Sequence, residues 1–220
     1  MHSSSPRHAL VDAPLQDPKT PMETLFKVGH FNTGLFLKHP LIRLALATDP
    51  RFIGHLIDKK HQRLLVKILR NAEGHGPEFL RKIAAYPNTP FGIHRLIVTS
   101  PHLNRQIARR YLRMRILHIA MAQNPVLDAT LVRYFAQHKN SGVRIQIAER
   151  KDLTDSPVRR LVRDSVHVVR WSLARNCQCP LWALETLAAD PLPSIAHTAR
   201  RTMGQTVCVP KLQEWVSTYR

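Results

Sequence analysis

Glycine, aromatic residues, cysteine and long apolar runs are all scarce in this sequence. The 8 glycines and the 6% of aromatic residues argue against a β-sandwich or β-barrel, which needs many tight turns. The three cysteines, Cys177, Cys179 and Cys208, are too few for a disulfide framework, which indicates a reducing compartment. No run of about 18 apolar residues is present, so the sequence predicts no membrane span.

The N-terminal segment 1–21 also lacks something, namely the apolar run of a signal peptide. It is polar and rich in Ser and Pro, and we interpret it as a disordered tail. The remaining residues, 22–220, are expected to form one domain, because a chain of this length and 44% hydrophobic content is able to bury a core. The predicted location is the cytoplasm.

Acidic residues are the most pronounced shortage. Only 15 Asp and Glu stand against 33 Lys and Arg, so the formal net charge is +18, and 23 of the 33 basic residues are Arg. Arginine binds phosphate and carboxylate groups through two parallel hydrogen bonds, whereas lysine acts as a hydrated point charge. The charge favours an anionic partner, such as nucleic acid, an acidic protein face or an anionic membrane. Coding bias that inflates the arginine content is the alternative explanation.

What the chain does contain is an internal repeat of 26 residues. Three segments align at this spacing and end in Ala122, Ala148 and Ala174. The third unit reads VRWSLARNCQCPLWALETLAADP from Val169 to Pro191. Small residues at one position of each unit let neighbouring helices approach closely, while larger residues fill the gaps.

A second helix in each unit follows the alanine at fixed offsets. The residues ten, thirteen and fourteen positions further on are apolar, as expected for one face of a helix. These residues are Val132, Phe135 and Ala136 in the first unit, Val158, Leu161 and Val162 in the second, and Leu184, Leu187 and Ala188 in the third.

Weaker copies of the repeat are predicted on either side. Ala84 and Ala47 align upstream at intervals of 38 and 37 residues, so each interval carries an insertion of about three helical turns. A degenerate unit is predicted from about Ile195. There Ala199 takes the place of Leu173, but Arg200 takes the place of Ala174, as suits a terminal cap.

The 26-residue pattern resembles the leucine-rich repeat variant, a relative of the HEAT-like helical repeats. The resemblance covers about 122–191 well and 41–101 loosely. It implies an all-α fold, an α-solenoid in which tandem two-helix repeats stack into a right-handed superhelix. It also implies a scaffold that names no substrate. Some members carry a separate cysteine-rich segment that holds an iron–sulfur cluster, and because this chain has no such segment, no cofactor is expected.

The segment from Phe79 to Leu127 contains no Asp or Glu and eight Lys and Arg. Within it we predict one helix from about residue 103 to 123. Arg105, Arg109 and Arg113 would lie within about 80° on one face, bordered by Arg110. Like charges four residues apart destabilise a helix, and a bound anion would relieve them. This face is either an anion-binding site or a solvated basic surface.

A second predicted set of basic residues recurs with the repeat. Arg144 and Arg170 each stand four residues before the alanine of their unit, with His118 and Arg43 at the same position in other units. Arg150 and Arg175 lie close by. Such a column forms a ladder along a solenoid and would bind an extended anionic partner. The alternative is that each arginine pairs with a carboxylate of the adjacent unit, such as Asp164 or Asp190.

Motifs for catalysis or metal binding are weak. Cys177 and Cys179 form a Cys-x-Cys pair that would need a fourth ligand such as His197 beside Cys208, so no metal site is predicted. The 13 histidines are scattered, and His94 falls in an apolar column that favours a core position. No Gly-rich phosphate loop or nucleophile elbow occurs.

These observations favour a non-catalytic scaffold that binds an acidic protein or a nucleic-acid backbone through its arginines. Two alternatives stay open. One is a sequence-nonspecific nucleic-acid-binding protein. The other is a DNA glycosylase, because certain alkylpurine glycosylases are built from HEAT-like repeats with an Asp, an Arg and tryptophans in a basic groove. Trp171, Trp182, Asp152 and Asp164 are the corresponding residue types here, although no motif matches residue by residue.

Overall fold

The computed structural model describes residues 12–71 and 75–218, with the backbone alone at Pro50 and over 206–218. Throughout these ranges the regular secondary structure is helical, without a strand, so the predicted all-α class is confirmed. The chain divides into two compact units, 1–113 and 114–220. A repeat array is divisible in this way without ceasing to be one domain, so the single domain over 22–220 stays a prediction.

The first unit contains eight helices. They are α1 Met22–Val28, α2 Thr33–Lys38, α3 Pro40–Thr48, α4 Pro50–Ile57, α5 Gln62–Arg70, α6 Pro77–Ala85, α7 Phe91–Thr99 and α8 Arg105–Tyr111. Proline begins α3, α4 and α6, where its missing N–H costs no hydrogen bond. Side chains of Asn32, His39, Asp49 and Asn104 cap the helices that follow them. The core contains the fully buried side chains Leu25, Phe36, Ile42, Leu56, Leu64, Leu65, Ile68, Leu80, Ile83, Ile93 and Tyr111.

The predicted tail over 1–21 differs from the structure in its second half. Residues 12–16 are helical and Leu15 is buried. The carbonyl oxygen of Asp17 lies 2.9 Å from Nε2 of His39, and Asp12 accepts a hydrogen bond from Asn32. One apolar side chain with a place in the core is enough to anchor so short a segment. The rest of the tail, 1–11, lies outside the described residues.

The second unit begins with a 3₁₀ turn, Arg115–Leu117, and seven α-helices follow. They are α9 His118–Gln123, α10 Ala129–Phe135, α11 Ser141–Ala148, α12 Asp155–Leu161, α13 His167–Ala174, α14 Leu181–Ala188 and α15 Pro193–Thr218. Helices α9, α11 and α13 pack against one another in sequence, and α15 packs against both α13 and α14. Among the helices that the structure describes, none is long and apolar enough to cross a membrane.

The 26-residue repeat is visible in which side chains are buried. Ala122, Ala148 and Ala174 all have zero exposed surface, and each ends a helix that contacts the equivalent helix of the next unit. The residue before each alanine is likewise fully buried, and so is the residue five positions before it. In the second helices, the predicted apolar positions are buried in all three units, except that Ala188 is partly exposed.

The predicted single helix over 103–123 is wrong. Helix α8 ends at Tyr111, and a turn at 112–114 separates it from the 3₁₀ turn and α9. The repeat explains the break, because adding 26 to these positions gives 138–140, the loop before α11. A helix through 112–114 would shift Leu117 and Met121 out of the register that buries them. Tertiary packing therefore overrides a sequence that contains no glycine or proline at the break.

The outer copies of the repeat fare differently. Ala84 is buried, whereas Ala47 is exposed and does not occupy an equivalent place. At the other end, Ala199 is fully buried and Arg200 is exposed, with its guanidinium donating to the carbonyl oxygen of Ala188. The exposed arginine is consistent with the predicted end of the repeat near 195.

Replacement of Ala148 by Leu tests whether the alanine position is as tightly packed as its burial indicates. Because the side chain has no exposed surface, the added atoms must displace a neighbouring helix, and we expect a loss of about 1–3 kcal/mol in the free energy of unfolding. Ala47→Leu is the matched control, since Ala47 is exposed on a helix and should tolerate Leu with little change. Urea denaturation followed by circular dichroism measures both, and equal stabilities would contradict the packing argument.

Candidate anion-binding surface

Helix α8 presents four exposed arginines at its surface. Asn104 begins the helix by accepting the backbone N–H of Ile107 at 2.9 Å. Ile107, Ala108 and Tyr111 are buried against the first unit, so the opposite side of the helix faces solvent. There lie the predicted site residues Arg105, Arg109 and Arg110, with Arg113 in the turn that follows. None of the four forms an ion pair with any residue that the structure describes.

His94 lies beneath this arginine group and is held inside the first unit. Its Nδ1 is 2.8 Å from the hydroxyl of Tyr111, and the two rings meet edge to face. Burial is the main cause that lowers the pKa of His94, and the charge of Arg110 lowers it further. Burial also raises the pKa of Tyr111, so the hydroxyl stays protonated. The neutral pair positions the end of α8, and His94 is a core residue as the sequence indicated.

Arg144 and Arg170 do not project freely into solvent. Arg144 forms two hydrogen bonds to Asp164, at 2.6 and 2.8 Å, and a third to the carbonyl oxygen of His138. Arg170 repeats this arrangement with Asp190 and the carbonyl oxygen of Asp164. Of the two interpretations that the sequence left open, the structure shows the pairing with the carboxylate of the adjacent unit.

The two aspartates are shaped by these arginines. Burial of the Asp164 carboxyl acts to raise its pKa, but the hydrogen bonds from Arg144 and Val166, together with the charge of Arg144, outweigh burial and leave the pKa below the ordinary range. For Asp190 the hydrogen bond from Arg170 is the main cause of a lowered pKa. Both carboxylates also accept a backbone N–H at the start of the next helix. Each pair therefore joins consecutive units.

The first unit of the repeat carries histidines at the same two positions. His118 stands 26 residues before Arg144, and His138 stands 26 before Asp164, with their ring nitrogens 3.0 Å apart. Nδ1 of His138 accepts the backbone N–H of Asn140, as Asp164 and Asp190 do one and two units later. The position thus keeps its structural role although the chemistry changes. Arg43, the predicted upstream member of the column, is exposed and forms no ion pair with a described residue.

Arg150 is a structural residue too. Its guanidinium is almost fully buried and donates to the carbonyl oxygens of Ala122, Asn124 and Pro125, and it also pairs with Asp152. Those carbonyls end α9 and have no partner within the helix. Asn176, 26 residues on, donates in the same way to the carbonyl oxygens of Ala148 and Arg150. Sequence reasoning overlooked this column, which a 26-residue alignment of Asn124, Arg150 and Asn176 would have revealed.

Arginines that stack on tryptophan are the exposed basic residues that stand out in the second unit. The guanidinium of Arg175 lies 4.5 Å from the centre of the Trp171 ring, and that of Arg159 lies 5.0 Å from the centre of the Trp182 ring. Arg175 was predicted as a site residue. Arg159 and its exposed neighbours Arg160 and Arg163 were not, because they do not recur in other units.

The residues considered for other chemistry are occupied or isolated. Cys177 is exposed, while Cys179 is buried with its pKa raised to about 12, so its thiol stays protonated. Within the described part of the chain, no three His, Cys, Asp or Glu side chains are placed to hold a metal ion. The side chain of Cys208 lies outside the described residues. Asp164 and Asp152, considered for a glycosylase, are each bound by an arginine through both carboxylate oxygens.

Compared with known protein families, with curated proteins and with solved structures, the chain matches none of them.

The ion pair between units is open to a direct test. Asp164→Ala leaves the largely buried guanidinium of Arg144 without its carboxylate and removes a helix cap, so we expect a loss of roughly 2–4 kcal/mol in the free energy of unfolding. Glu78→Ala breaks an exposed ion pair with Arg81 and should change stability little. Chemical denaturation of both variants checks this, and similar stabilities would show that the Arg144 pair is dispensable.

The buried histidines predict acid sensitivity. The pKa values of His75 and His94 are lowered, mainly by burial, so the folded state binds fewer protons than the unfolded state just below the ordinary value of 6.5. Stability should be complete above pH 6.5 and should fall as the pH drops below it. The measurement is Tm against pH. His94→Gln should flatten the slope, whereas His197→Gln, at an exposed position, should leave it unchanged.

Proposed function

We propose that this chain is a non-catalytic α-solenoid scaffold of the cytoplasm, built from tandem two-helix repeats, that binds an anionic partner through exposed arginines. The partner is an acidic protein or a nucleic-acid backbone. The observation that carries the proposal is the group of Arg105, Arg109, Arg110 and Arg113 in the first unit, four exposed guanidinium groups without an acidic partner among the described residues.

Support for the repeat arrangement comes from hydrogen bonds that recur every 26 residues. The Arg144–Asp164 and Arg170–Asp190 pairs have the same geometry, and so do the bonds from Arg150 and Asn176 to preceding helix ends. Recurrence of both apolar and polar contacts at one spacing is what a stack of equivalent units produces. A compact globule without repeats gives no reason for such recurrence.

Support for anion binding comes from electrostatics. Arg105 and Arg109 are four residues apart on a short helix, and each such like-charged pair destabilises an isolated helix by a few tenths of a kcal/mol. The surrounding sequence from 79 to 127 contains no acidic residue that would neutralise them. A phosphate or carboxylate that bridges two guanidinium groups converts this repulsion into charge-assisted hydrogen bonds.

Sequence-nonspecific nucleic-acid binding is the form of this function that the tryptophans favour. Trp171 and Trp182 each lie beside an arginine, and an aromatic ring flanked by a guanidinium is the usual platform for a nucleobase. An acidic peptide has no planar group that gains from such a platform. Chemistry on the nucleic acid is less favoured, since Asp152 and Asp164 are both engaged by arginines.

The triple variant Arg105→Ser, Arg109→Ser and Arg113→Ser tests the proposal. We expect it to fold normally and to bind a labelled single-stranded oligonucleotide or polyglutamate about tenfold more weakly at low salt, because three charge-assisted contacts are lost. Fluorescence anisotropy over a salt series measures the affinity. Oligonucleotide affinity that falls steeply with salt would identify nucleic acid as the partner class.

The matched control removes three other exposed arginines of the first unit, through Arg51→Ser, Arg63→Ser and Arg70→Ser. Its net charge equals that of the test variant, so a general effect of charge would weaken both equally. Equal binding by the wild type and the α8 variant would defeat the proposal.

A further inference from the structure

A basic cleft lies on the second unit, on the side where the loop 137–139 approaches the end of α12. Its volume is about 510 Å³, large enough for a nucleotide-sized group. The ionised side chains that line it are Lys139, Arg144, Arg159, Arg160, Arg163 and a single carboxylate, Asp164. Because one acidic residue faces five basic ones, the cleft carries a strong positive charge.

The pairing inside the cleft leaves most of that charge available. Asp164 is bound by Arg144 through both oxygens, so neither of these residues needs a ligand. Arg159, Arg160, Arg163 and Lys139 are exposed, and no ion pair to the described part of the chain engages them. The Arg144–Asp164 pair forms a rigid wall, and the four remaining cations surround it.

The repeat supplies an internal comparison that separates fold from function. One unit further on, the structural ion pair recurs as Arg170 and Asp190, but the positions of Arg159, Arg160 and Arg163 hold Glu185, Thr186 and Ala189. One unit earlier, the same positions hold Arg133, Tyr134 and Gln137. The fold therefore requires the ion pair and does not require the three arginines. Three like charges gathered at one unit raise the energy of the empty cleft, and a bound anion lowers it.

The cleft fits a phosphodiester better than a carboxylate side chain. Arg159 lies over the Trp182 ring at 5.0 Å, which holds the plane of its guanidinium and leaves its N–H edge for an acceptor. Trp182 is partly exposed, so an aromatic surface lies next to the cations. A nucleotide offers both a phosphate for the arginines and a base for the aromatic face. An acidic peptide offers only the anion.

We propose that this cleft binds the phosphodiester backbone of a nucleic-acid strand, with Arg159, Arg160, Arg163 and Lys139 as the groups that contact phosphate. The inference rests on the proposed anion-binding function, and it adds both a second site and the class of partner. It assigns the contacts to residues that belong to a single unit of the repeat.

The test variant takes its substitutions from the neighbouring unit. Arg160→Thr and Arg163→Ala install the residues found one repeat later, and Arg159→Gln removes the third charge without creating a negative one. We expect binding of a fluorescein-labelled oligothymidylate to weaken about tenfold at low salt. The slope of log affinity against log salt should fall by about 2, since each lost phosphate contact on a single strand contributes roughly 0.7. An unchanged Tm would show that folding is intact.

The control variant removes the same amount of charge elsewhere, through Lys59→Gln, Lys151→Gln and Arg201→Gln, all at exposed positions. It should bind the oligonucleotide within about twofold of the wild type, because a charge outside the contact acts only through a field screened within about 10 Å. Equal losses in both variants would overturn the inference. Unlabelled polyglutamate that displaces the oligonucleotide as well as unlabelled oligothymidylate does would overturn it too, in favour of an acidic protein.

Failure of the inference is distinguishable from failure of the proposed function. If the wild type binds neither oligothymidylate nor polyglutamate at low salt, the anion-binding function itself is wrong. If the wild type binds the oligonucleotide and the α8 variant weakens binding while the cleft variant does not, the function stands and the cleft assignment is wrong.

Discussion

Close approach of consecutive helices is the constraint on which the second unit depends. Ala122, Ala148 and Ala174 have no exposed surface, and each lies at the end of a helix that contacts its counterpart one repeat away. A larger side chain there would separate the helices and break the contacts around it. Once the helices are this close, their ends also meet. The side chains of Arg150 and Asn176 then reach the free carbonyl oxygens of the preceding helix, which have no other partner in the interior.

The arginines of this chain fall into two groups that composition alone does not distinguish. Those that recur with the repeat, Arg144 and Arg170, are held by carboxylates of the next unit and belong to the architecture. Those that do not recur, such as Arg159 and Arg160, are exposed. A position that keeps its contacts through several units is explained by the fold. A charge that occurs in one unit only is not, and such a residue is the better candidate for binding a partner. This distinction is available in any repeat protein without a single relative for comparison.

The fold was predictable where the sequence pattern and the packing obey the same period. The three aligned alanines, the apolar faces of the second helices and the polar end near Arg200 were all found from spacing alone. The upstream copy at Ala47 was not an equivalent place, since a single small residue before a proline is too weak a signal. The helix expected over 103–123 was broken because repeat register prevailed over local helix preference, and the basic stripe on it was shortened accordingly.

The sequence by itself determined the helical class, the repeat length, most of the core and the exposed basic face around Arg105 and Arg109. These depend on periodicity and burial, which are written in the order of residue types. Only the tertiary structure decided that Arg144, Arg150 and Arg170 are bound internally and that Arg159, Arg160 and Arg163 share a cleft. A guanidinium is equally suited to a carboxylate of its own chain and to the phosphate of a partner. Which of them it meets depends on distances between residues about 20 positions apart, and these are set only when the helices pack.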